Sequence, residues 1–306
     1  MRSIRIGTRE SPLAVWQATE VKRLLSGQGY ESELIFIRSE GDLDMQTPLY
    51  EMGVTGIFTR ALDIALLNGS IDIAVHSMKD VPTKPAQGIT GAAVLERASF
   101  KDILVYNGSL NFLTDPHVKA VIATSSIRRK AQWLHRYPHH QIEVLRGNVN
   151  TRLQKVHNSN WNGAIFAGAG LERIGLRPLN SIDLDWMLPA PAQGAIMVVC
   201  REDDAYCKTA GTFINHGDTA LCTKLERDFL STLLGGCSTP ISALAELKDD
   251  RIFFRGNILS VNGTEKADIE FTCSLKDCTN DMGINAACQL LEKGGEKIAA
   301  GIKNGI

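Results

Sequence analysis

The alternation of strand and helix patterns most limits the folds open to this chain. The first 95 residues predict strands at Ser3–Gly7, Glu33–Ile37 and Ile71–Val75, separated by helices from Pro12 to about Ser26 and over Ile57–Leu67. Such alternation is typical of a mostly parallel sheet covered by helices. Ser11 is a plausible N-cap for the first helix because Pro12 follows it at the first helical position. The first segment therefore predicts an α/β domain.

The same pattern starts again near residue 100. Strands are predicted at Asp102–Tyr106, Ala120–Ala123, Gln141–Leu145 and Gly163–Ala167, with helices after the second and third of them. A further strand at Ile196–Cys200 is expected to return to the first sheet. We therefore predict a first domain from 1–95 with 196–215, and a second α/β domain over 100–190.

The remaining residues predict a smaller α+β domain over 218–306. Its first helix covers about Thr219–Leu234, with Asp218 as a plausible N-cap. A closing helix is expected over about Asn280–Gly301. Three strands are predicted between the two helices: Ile241–Leu247, Ile252–Leu259 and Lys266–Thr272.

The charge is unevenly distributed along the chain. The whole sequence has a net charge of -1, but the stretch 117–171 contains eight Lys or Arg residues and one acid, a local charge of +7. A field of this kind attracts an anion. Because no nucleic-acid-binding motif is present, the pattern favours a small carboxylated or phosphorylated ligand and predicts no nucleic-acid partner.

Cysteine usage predicts free thiols in a reducing cytoplasm. The chain has seven cysteines, an odd number, with no C-x-x-C pair and no apolar signal segment at its start. No Cys/His spacing resembles a zinc site, so no metal is expected. No apolar stretch is long enough to span a bilayer, so no membrane partner is expected either.

Basic residues recur at predicted strand-to-helix turns. Thr8 to Ser11 and Thr124 to Arg129 each combine hydroxyl caps with arginine, and Arg146 to Arg152 places arginines around a third turn. Helix N-termini and arginines both bind carboxylates, so the first two turns are predicted to face a common cleft. The alternative is plain helix capping with solvated arginines.

Two further residues are candidates for chemistry. Asp80 follows a buried strand, where a carboxylate can steer a proton, although a turn-forming aspartate before Val-Pro is an equal alternative. Cys237 follows two glycines, which leave room for a bulky adduct on its sulfur. A predicted helix ends just before Cys237 and disfavours a thiolate, so a permanent anchor fits better than a nucleophile. The alternative is a cysteine that fills a tight turn; the other six cysteines are expected to act as small hydrophobes.

Taken together, these segments resemble the porphobilinogen deaminase family over nearly the whole chain. The resemblance rests on six motifs in register: IGTRESPLA (6–14), AVHSMKDVP (74–82), ATSSIRR (123–129), LRGNV (145–149), AQGA (192–195) and GGC (235–237). It implies a fold of two α/β domains similar to type 2 periplasmic binding proteins and a smaller α+β C-terminal domain. One departure is a loop at 50–56, which has Glu51 and Thr55 where lysines are usual in the family.

The resemblance also implies an activity. Such enzymes join four porphobilinogen molecules head to tail, lose four ammonia molecules, and release hydroxymethylbilane by hydrolysis. The growing chain is attached to a covalent dipyrromethane cofactor, one per chain, held through a thioether. A cytoplasmic monomer is expected. Two cofactor rings and four substrate rings carry many carboxylates, which would explain the concentration of arginine.

The resemblance assigns a role to each matching residue. Asp80 would be the catalytic carboxylate and Cys237 the point of cofactor attachment. The other cofactor-binding residues would be Ser77, Lys79, Thr124, Ser126, Arg128, Arg129, Arg146 and Asn148. The substrate-binding residues would be Arg9, Ser11, Phe58, Arg152, Arg173 and Gln193.

Two other functions are consistent with parts of the sequence. A non-catalytic anion-binding module of clamshell type would use the same arginines, but it would have no use for the extra domain with its glycine-flanked cysteine. A thiolate hydrolase would need a histidine paired with Cys237, and no motif supplies one.

Overall fold

The structure is a computed structural model that describes residues 2–38, 59–233 and 239–304. Three sequence predictions lie outside these ranges: Cys237, Phe58 and the loop at 50–56. The described chain divides into two compact units. The first unit contains 2–38, 59–98 and 193–221, and the second contains 99–192, 222–233 and 239–304. The predicted boundaries of three domains stay a prediction.

The described elements alternate in the order that the sequence predicts. The helices are α1 (Pro12–Gly27), α2 (Arg60–Leu67), α3 (Ile127–Arg136), α4 (Val149–His157), α5 (Gly168–Arg173), α6 (Ala205–Thr212), α7 (Gly217–Leu233), α8 (Met282–Leu290) and α9 (Glu296–Asn304). The strands are β1 (Ile4–Thr8), β2 (Ser32–Phe36), β3 (Ile73–Ser77), β4 (Ile89–Val94), β5 (Asp102–Tyr106), β6 (Val121–Ala123), β7 (Gln141–Glu143), β8 (Gly163–Ala167), β9 (Ser181–Asp183), β10 (Ile196–Arg201), β11 (Ile241–Lys248), β12 (Arg251–Leu259) and β13 (Lys266–Ser274).

The first unit has one five-stranded sheet in the order β2-β1-β3-β10-β4. Strand β1 runs parallel to β2 and β3, as the alternation predicts. Strand β10 returns to this sheet, also as predicted, but it is antiparallel to both β3 and β4. The sheet is therefore mixed, with β10 antiparallel to both of its neighbours.

The second unit contains a sheet of the same design and a smaller one. Its five strands have the order β7-β6-β8-β5-β9, with β6 parallel to β7 and β8, and β5 antiparallel to β8 and β9. Strands β11, β12 and β13 form an antiparallel meander. The predicted α/β class is confirmed: the described chain has two mixed five-stranded sheets with helices and a smaller α+β part.

Strand β1 is tightly packed in the core of the first unit. Ile4 and Ile6 are fully buried against α1, in a core with Val21 and Leu25. Gly7 has no room for a side chain, because a Cβ there would lie 2.2 Å from the Cδ1 of Ile71. Glycine at this position therefore allows β1 to pack closely against Ile71.

Two predicted helix boundaries were wrong. Helix α7 begins at Gly217, so Asp218 lies in its first turn and is not the N-cap. Nδ1 of His216 accepts the N–H of Thr219 at 3.2 Å in its place. The closing helix is interrupted between α8 and α9, where Gly294 has a φ of 102°. A left-handed residue cannot continue an α-helix, and glycine adopts it without strain. Strands β4 and β9 and helices α5 and α6 were not predicted.

A buried aspartate in the first unit predicts acid sensitivity. Asp72 is 1% exposed and accepts hydrogen bonds from Nε and Nη2 of Arg5 at 3.0 and 2.8 Å. Burial alone raises the pKa of Asp72, but the hydrogen bonds from Arg5 outweigh it and hold the pKa below its usual value. A depressed carboxyl pKa contributes stability above the unfolded value of about 4, and this contribution is lost as pH falls through the folded pKa.

We expect Asp72→Asn to lower the free energy of unfolding at pH 7 by about 3 kcal/mol, because Arg5 loses its buried, ionised partner. The loss should shrink as pH falls from about 4 through the lower folded pKa, because the unfolded wild-type carboxyl and then the folded one become protonated. Urea unfolding at pH 7 and pH 3.5 measures both values. Asp203→Asn is the matched control, since that side chain is 88% exposed. An equal loss at both pH values would contradict the role of the ionised carboxylate.

Candidate active site

The predicted catalytic carboxylate lies at the edge of the first unit's sheet. Strand β3 ends at Ser77, and a single 3₁₀ turn, Met78–Asp80, follows it. The N–H of Met78 donates to the carbonyl of Ala195 at 3.0 Å and fixes this turn. Asp80 is half-buried. The turn therefore holds a carboxylate just beyond the carboxyl end of β3, where α/β sheets bind ligands.

Neighbouring strands bring other predicted residues to the same edge. Strand β1 is parallel to β3, so Arg9 and Ser11 follow it on the same side. Strand β10 is antiparallel to β3 and pairs Ile196 with Ser77, so Gln193 also lies at this edge. Nζ of Lys79 donates to Oε1 of Gln193 at 3.3 Å, which joins two of these predicted residues. Nε2 of Gln17 donates to Oγ of Ser77 at 2.9 Å. Oγ of Ser11 caps α1 by accepting the N–H of Ala14 at 3.4 Å.

The second unit gathers its predicted residues at one edge of its sheet in the same way. Strands β6, β7 and β8 are parallel and end at this edge. Thr124 and Ser126 follow β6, and Arg146 and Asn148 follow β7. Helix α5, which ends at Arg173, follows β8. Ser126 caps α3 by accepting the N–H of Arg129, and Asn148 caps α4 by accepting the N–H of Thr151 at 2.9 Å. Both caps and their helix N-termini are therefore adjacent at this edge.

The arginines at this edge differ in their surroundings. Arg146 is 7% exposed. Nε of Arg152 donates to the carbonyl of Gly147 at 2.7 Å, which holds the start of α4 against the preceding turn. Arg173 is half-buried, and burial lowers its pKa to about 10, although the nearby Glu172 opposes the shift. The guanidinium groups of all three give this edge its positive charge.

Arg128 and Arg129 share one buried carboxylate. Nη2 of Arg128 lies 2.8 Å from Oδ2 of Asp102, and Nη2 of Arg129 lies 2.7 Å from Oδ1. The side chain of Asp102 is 0% exposed, and the arginine side chains are 5% and 9% exposed. Nη1 of Arg129 also donates to the carbonyl of Ile165 at 3.0 Å. Two cations and one anion leave one positive charge, and much of the hydrogen-bonding capacity of Arg129 is used within the protein.

Comparison with known proteins decides the family. Residues 4–209 match the family model "Porphobilinogen deaminase, dipyromethane cofactor binding domain", and residues 220–292 match "Porphobilinogen deaminase, C-terminal domain". The chain belongs to the porphobilinogen deaminase family. It is therefore an enzyme, a transferase of tetrapyrrole biosynthesis whose cofactor is dipyrromethane.

Relatives in this family match over nearly their full length. The probable porphobilinogen deaminase of Methanocaldococcus jannaschii is 40% identical over 305 residues, which is 98% of this chain and 100% of the relative. The porphobilinogen deaminase of Geobacter sulfurreducens is 39% identical over 304 residues, 98% of this chain and 95% of the relative. Among solved structures, an ancestral cationic amino acid solute-binding protein has a TM-score of 0.45 and 14% identity, covering 69% of this chain and 88% of that one.

The residues of the second unit fit the family's carboxylated cofactor. Helices α3 and α4 begin side by side at the ends of β6 and β7, with Ser126 and Asn148 as caps. Their first N–H groups and the charges of Arg146 and Arg152 favour an anion at this edge. Lysine or arginine beside a helix N-terminus is the donor set that binds carboxylates. This unit therefore has the chemistry that a dipyrromethane with acid side chains requires.

One site residue was not predicted by sequence reasoning. His76, in β3 four residues before Asp80, is 7% exposed, and its Nε2 has no hydrogen-bond partner among the described residues. Burial, together with the charge of Arg9, lowers the pKa of His76 to about 4. The imidazole is therefore neutral at physiological pH. The signal available in the sequence was a histidine inside an otherwise apolar strand next to Ser77.

The described cysteines differ in exposure. Cys200, Cys207 and Cys222 are buried, as expected of small hydrophobes, and burial raises the pKa of Cys200 to about 11 and of Cys207 to about 12. These thiols are poor nucleophiles. The prediction was wrong for the others, since Cys288 is exposed and Cys273 and Cys278 are half-buried.

The described ranges lack two features, a cluster of metal-ligating side chains and a membrane-spanning helix. Residues 2–38, 59–233 and 239–304 contain no group of three or more His, Cys, Asp or Glu side chains arranged to hold a metal ion. Over the same ranges, no helix combines the length and apolar character needed to cross a membrane.

Proposed function

We propose that this chain condenses four porphobilinogen molecules head to tail onto a covalently bound dipyrromethane, with loss of four ammonia, and then releases hydroxymethylbilane by hydrolysis. The observation that carries the proposal is the half-buried carboxylate of Asp80 at the same sheet edge as Arg9 and Lys79. Carboxylated pyrroles need cations to bind them and one anion where positive charge develops. Membership of the family supports the same reaction.

Asp80 is proposed as the catalytic residue. When bound, dipyrromethane supplies a pyrrole with a free α-carbon as the primer for condensation. The carboxylate of Asp80 stabilises the positive charge that develops on a pyrrole nitrogen and accepts or returns a proton. The turn at Met78–Asp80 keeps this carboxylate in place. Lys79, which donates to Gln193, holds the neighbouring positive charge.

The remaining roles follow the residue chemistry. Cys237 is proposed to hold the cofactor through a thioether. Hydroxyl, amide and cationic side chains would bind the acid groups of the cofactor: Ser77, Lys79, Thr124, Ser126, Arg128, Arg129, Arg146 and Asn148. The acid groups and ring of the substrate would be bound by Arg9, Ser11, Phe58, Arg152, Arg173 and Gln193.

The organisation of the chain is also proposed. We assign three domains, 1–95 with 196–215, 100–190 and 218–306, since three separate sheets occur within these limits. We further propose that the enzyme works as a monomer in the cytoplasm, without a nucleic-acid or membrane partner. The odd number of cysteines and the absence of a nucleic-acid-binding motif support this proposal.

Mass spectrometry of the purified enzyme tests the proposal. The intact mass should exceed the sequence mass by two linked pyrrole units, and peptide mapping should place the added mass on Cys237. Ehrlich's reagent should give a coloured adduct with the folded protein. Peptides containing Cys222 and Cys278 are internal controls and should carry no pyrrole. A fully active protein with the bare sequence mass would refute covalent priming, and an inactive, colourless protein that binds anions would identify a binding module instead.

A further inference from the structure

Gln132, in the middle of α3, uses both ends of its side-chain amide inside the second unit. Its Oε1 accepts the N–H of Leu188 at 2.9 Å, and its Nε2 donates to the carbonyl of the same residue at 2.8 Å. Nε2 also donates to Oγ of Ser242 on β11 at 2.9 Å. Gln132 is 6% exposed and Ser242 is 0% exposed. The buried amide therefore fixes the backbone of Leu188 through two hydrogen bonds.

The carbonyl of Leu188 also accepts a hydrogen bond from Arg128, which lies one helical turn before Gln132 on the same face of α3. Nη1 of Arg128 donates to this carbonyl at 2.8 Å, and Nη2 lies 2.8 Å from Oδ2 of Asp102. Nε of Arg128 is buried and has no hydrogen-bond partner among the described residues. The carbonyl of Leu188 and the carboxylate of Asp102 therefore orient this guanidinium, and Gln132 fixes the position of the carbonyl.

The neighbouring Arg129 is oriented by different groups. Its Nε and Nη2 donate to Oδ1 of Asp102 at 3.0 and 2.7 Å, and its Nη1 donates to the carbonyl of Ile165 at 3.0 Å. Neither of these acceptors is fixed by the amide of Gln132. A change at Gln132 should therefore act on Arg128 and leave Arg129 in place.

Helix α3 has further contacts that keep it in position. Nδ1 of His135 lies 2.8 Å from the carbonyl oxygen of Gly263, in the turn between β12 and β13. A Cβ on Gly263 would lie 2.5 Å from the carbonyl oxygen of Ala131, so this turn packs directly against the backbone of the helix. Loss of the amide of Gln132 should therefore leave α3 folded and should release only the backbone of Leu188.

We propose that Gln132 is a positioning residue that orients Arg128 for the acid groups of the cofactor, acting through the carbonyl of Leu188. A guanidinium binds a carboxylate through two parallel N–H groups, so its plane must face the acid group. A guanidinium that turns freely loses that freedom on binding, which lowers the affinity. The inference rests on the proposed function, because the proposed function assigns the acid groups of the cofactor to Arg128.

Crystal structures of the full-length wild type and of Gln132→Met test the orientation without any ligand. Methionine has a similar length and volume but no amide, so it removes the hydrogen bonds and keeps the packing. We expect the carbonyl of Leu188 to shift and Nη1 of Arg128 to lose it as an acceptor. Arg129 should keep its hydrogen bonds to Asp102.

Two control variants separate this effect from a general one. Gln154→Met changes an exposed glutamine on α4 of the same unit and should leave Arg128 unmoved. Ser242→Ala removes one of the three hydrogen bonds of Gln132 but neither of those to Leu188, so Arg128 should also stay in place.

The rate at which the chain acquires its cofactor tests the consequence. Full-length protein without bound pyrrole is incubated with porphobilinogen, and its intact mass is followed over time. Gln132→Met should gain two pyrrole units about tenfold more slowly than the wild type, because a displaced arginine no longer holds the acid groups in place. Gln154→Met and Ser242→Ala should match the wild type within about twofold.

A double-mutant comparison shows whether the effect passes through Arg128. Arg128→Lys keeps the charge but removes the planar pair of donors, so it should slow cofactor acquisition as well. In the Arg128→Lys background, Gln132→Met should have little further effect. A purely structural role of Gln132 would instead slow acquisition by the same factor in both backgrounds. Circular dichroism confirms that each variant is folded.

The proposal is wrong if Arg128 keeps its hydrogen bond to Leu188 in Gln132→Met. It is also wrong if that variant acquires the cofactor at the wild-type rate, or if the effects of Gln132→Met and Arg128→Lys are independent. A wild-type chain that never gains pyrrole mass would refute the proposed function. The crystal structures would then still decide whether Gln132 orients Arg128, so the two failures are distinguishable.

Discussion

Asp80→Asn is expected to lower kcat by about a thousandfold while the protein still folds and still carries its cofactor. Asparagine has the shape of aspartate but neither its charge nor its ability to take a proton. The carboxylate stands half-buried at the end of β3, at the same sheet edge as Arg9 and Lys79, which we propose bind acid groups of the substrate and cofactor. In the proposed mechanism, removing the carboxylate would leave binding largely intact and would remove the stabilisation of developing positive charge. Rates at saturating porphobilinogen, with the intact mass of the same sample, separate the two effects.

Two further variants make this result specific. Asp203→Asn changes an exposed carboxylate in the same unit and should leave kcat unchanged. Asp80→Glu keeps the negative charge but places it about one carbon–carbon bond farther from the backbone, so it should recover part of the rate. If Asp80→Asn retains kcat within about twofold of the wild type, Asp80 has no part in the chemistry.

Asp102→Ala is expected to destabilise the second unit by about 3–5 kcal/mol. Its carboxylate is the shared partner of Arg128 and Arg129, and all three side chains are buried. Without it, two neighbouring guanidinium groups remain in the interior with like charges. Burial already lowers the pKa of Arg128, although the charge of Asp102 opposes this effect. Unfolding by urea, followed by near-ultraviolet circular dichroism because Trp133 and Trp186 lie in this unit, measures the change.

The control lies in the same sheet. Asp183 on β9 bonds to Lys101 and Arg177 at 3.0 and 2.6 Å, but its side chain is 31% exposed. Asp183→Ala should therefore cost about 1 kcal/mol or less. Asp102→Asn keeps a hydrogen-bond acceptor, so its destabilisation should fall between those of Asp183→Ala and Asp102→Ala. It also provides a measurable variant if Asp102→Ala does not accumulate. Equal effects of Asp102→Ala and Asp183→Ala would contradict a special role for the buried carboxylate.

Local signals predicted the parts of the fold that depend on neighbours in sequence. Ser11 and Pro12 begin α1 where expected, because capping involves groups within one helical turn. The strand at Gly163–Ala167 was predicted with its observed bounds, because buried strands appear as continuous apolar runs. The placement of Asp80 after β3 followed from the same kind of pattern.

Of the two wrong helix boundaries, one had a local signal and the other depended on a distant residue. The apolar pattern of α8 and α9 continues through their junction, but Gly294 and Gly295 mark the left-handed turn there, because glycine adopts that conformation without strain. The cap of α7 depends on His216, and the backbone N–H of His216 donates to the carbonyl of Val94 on β4. Such a cap is set by tertiary contacts and has no local signature.

The sequence by itself determined the α/β class, the order of the strands along the chain and the residue types that suit a carboxylated ligand, because each depends on periodicity or on motifs within a few residues. Only the tertiary structure decided that β10 inserts antiparallel beside β3, so that Gln193 joins Lys79 at one edge. It also decided that Asp102 bridges Arg128 and Arg129, and that Glu226 is fully buried and accepts the N–H groups of Ala192 and Ala245 at 2.6 and 2.8 Å. Burying a charge is costly unless its partners are supplied, and those partners lie far apart in the sequence.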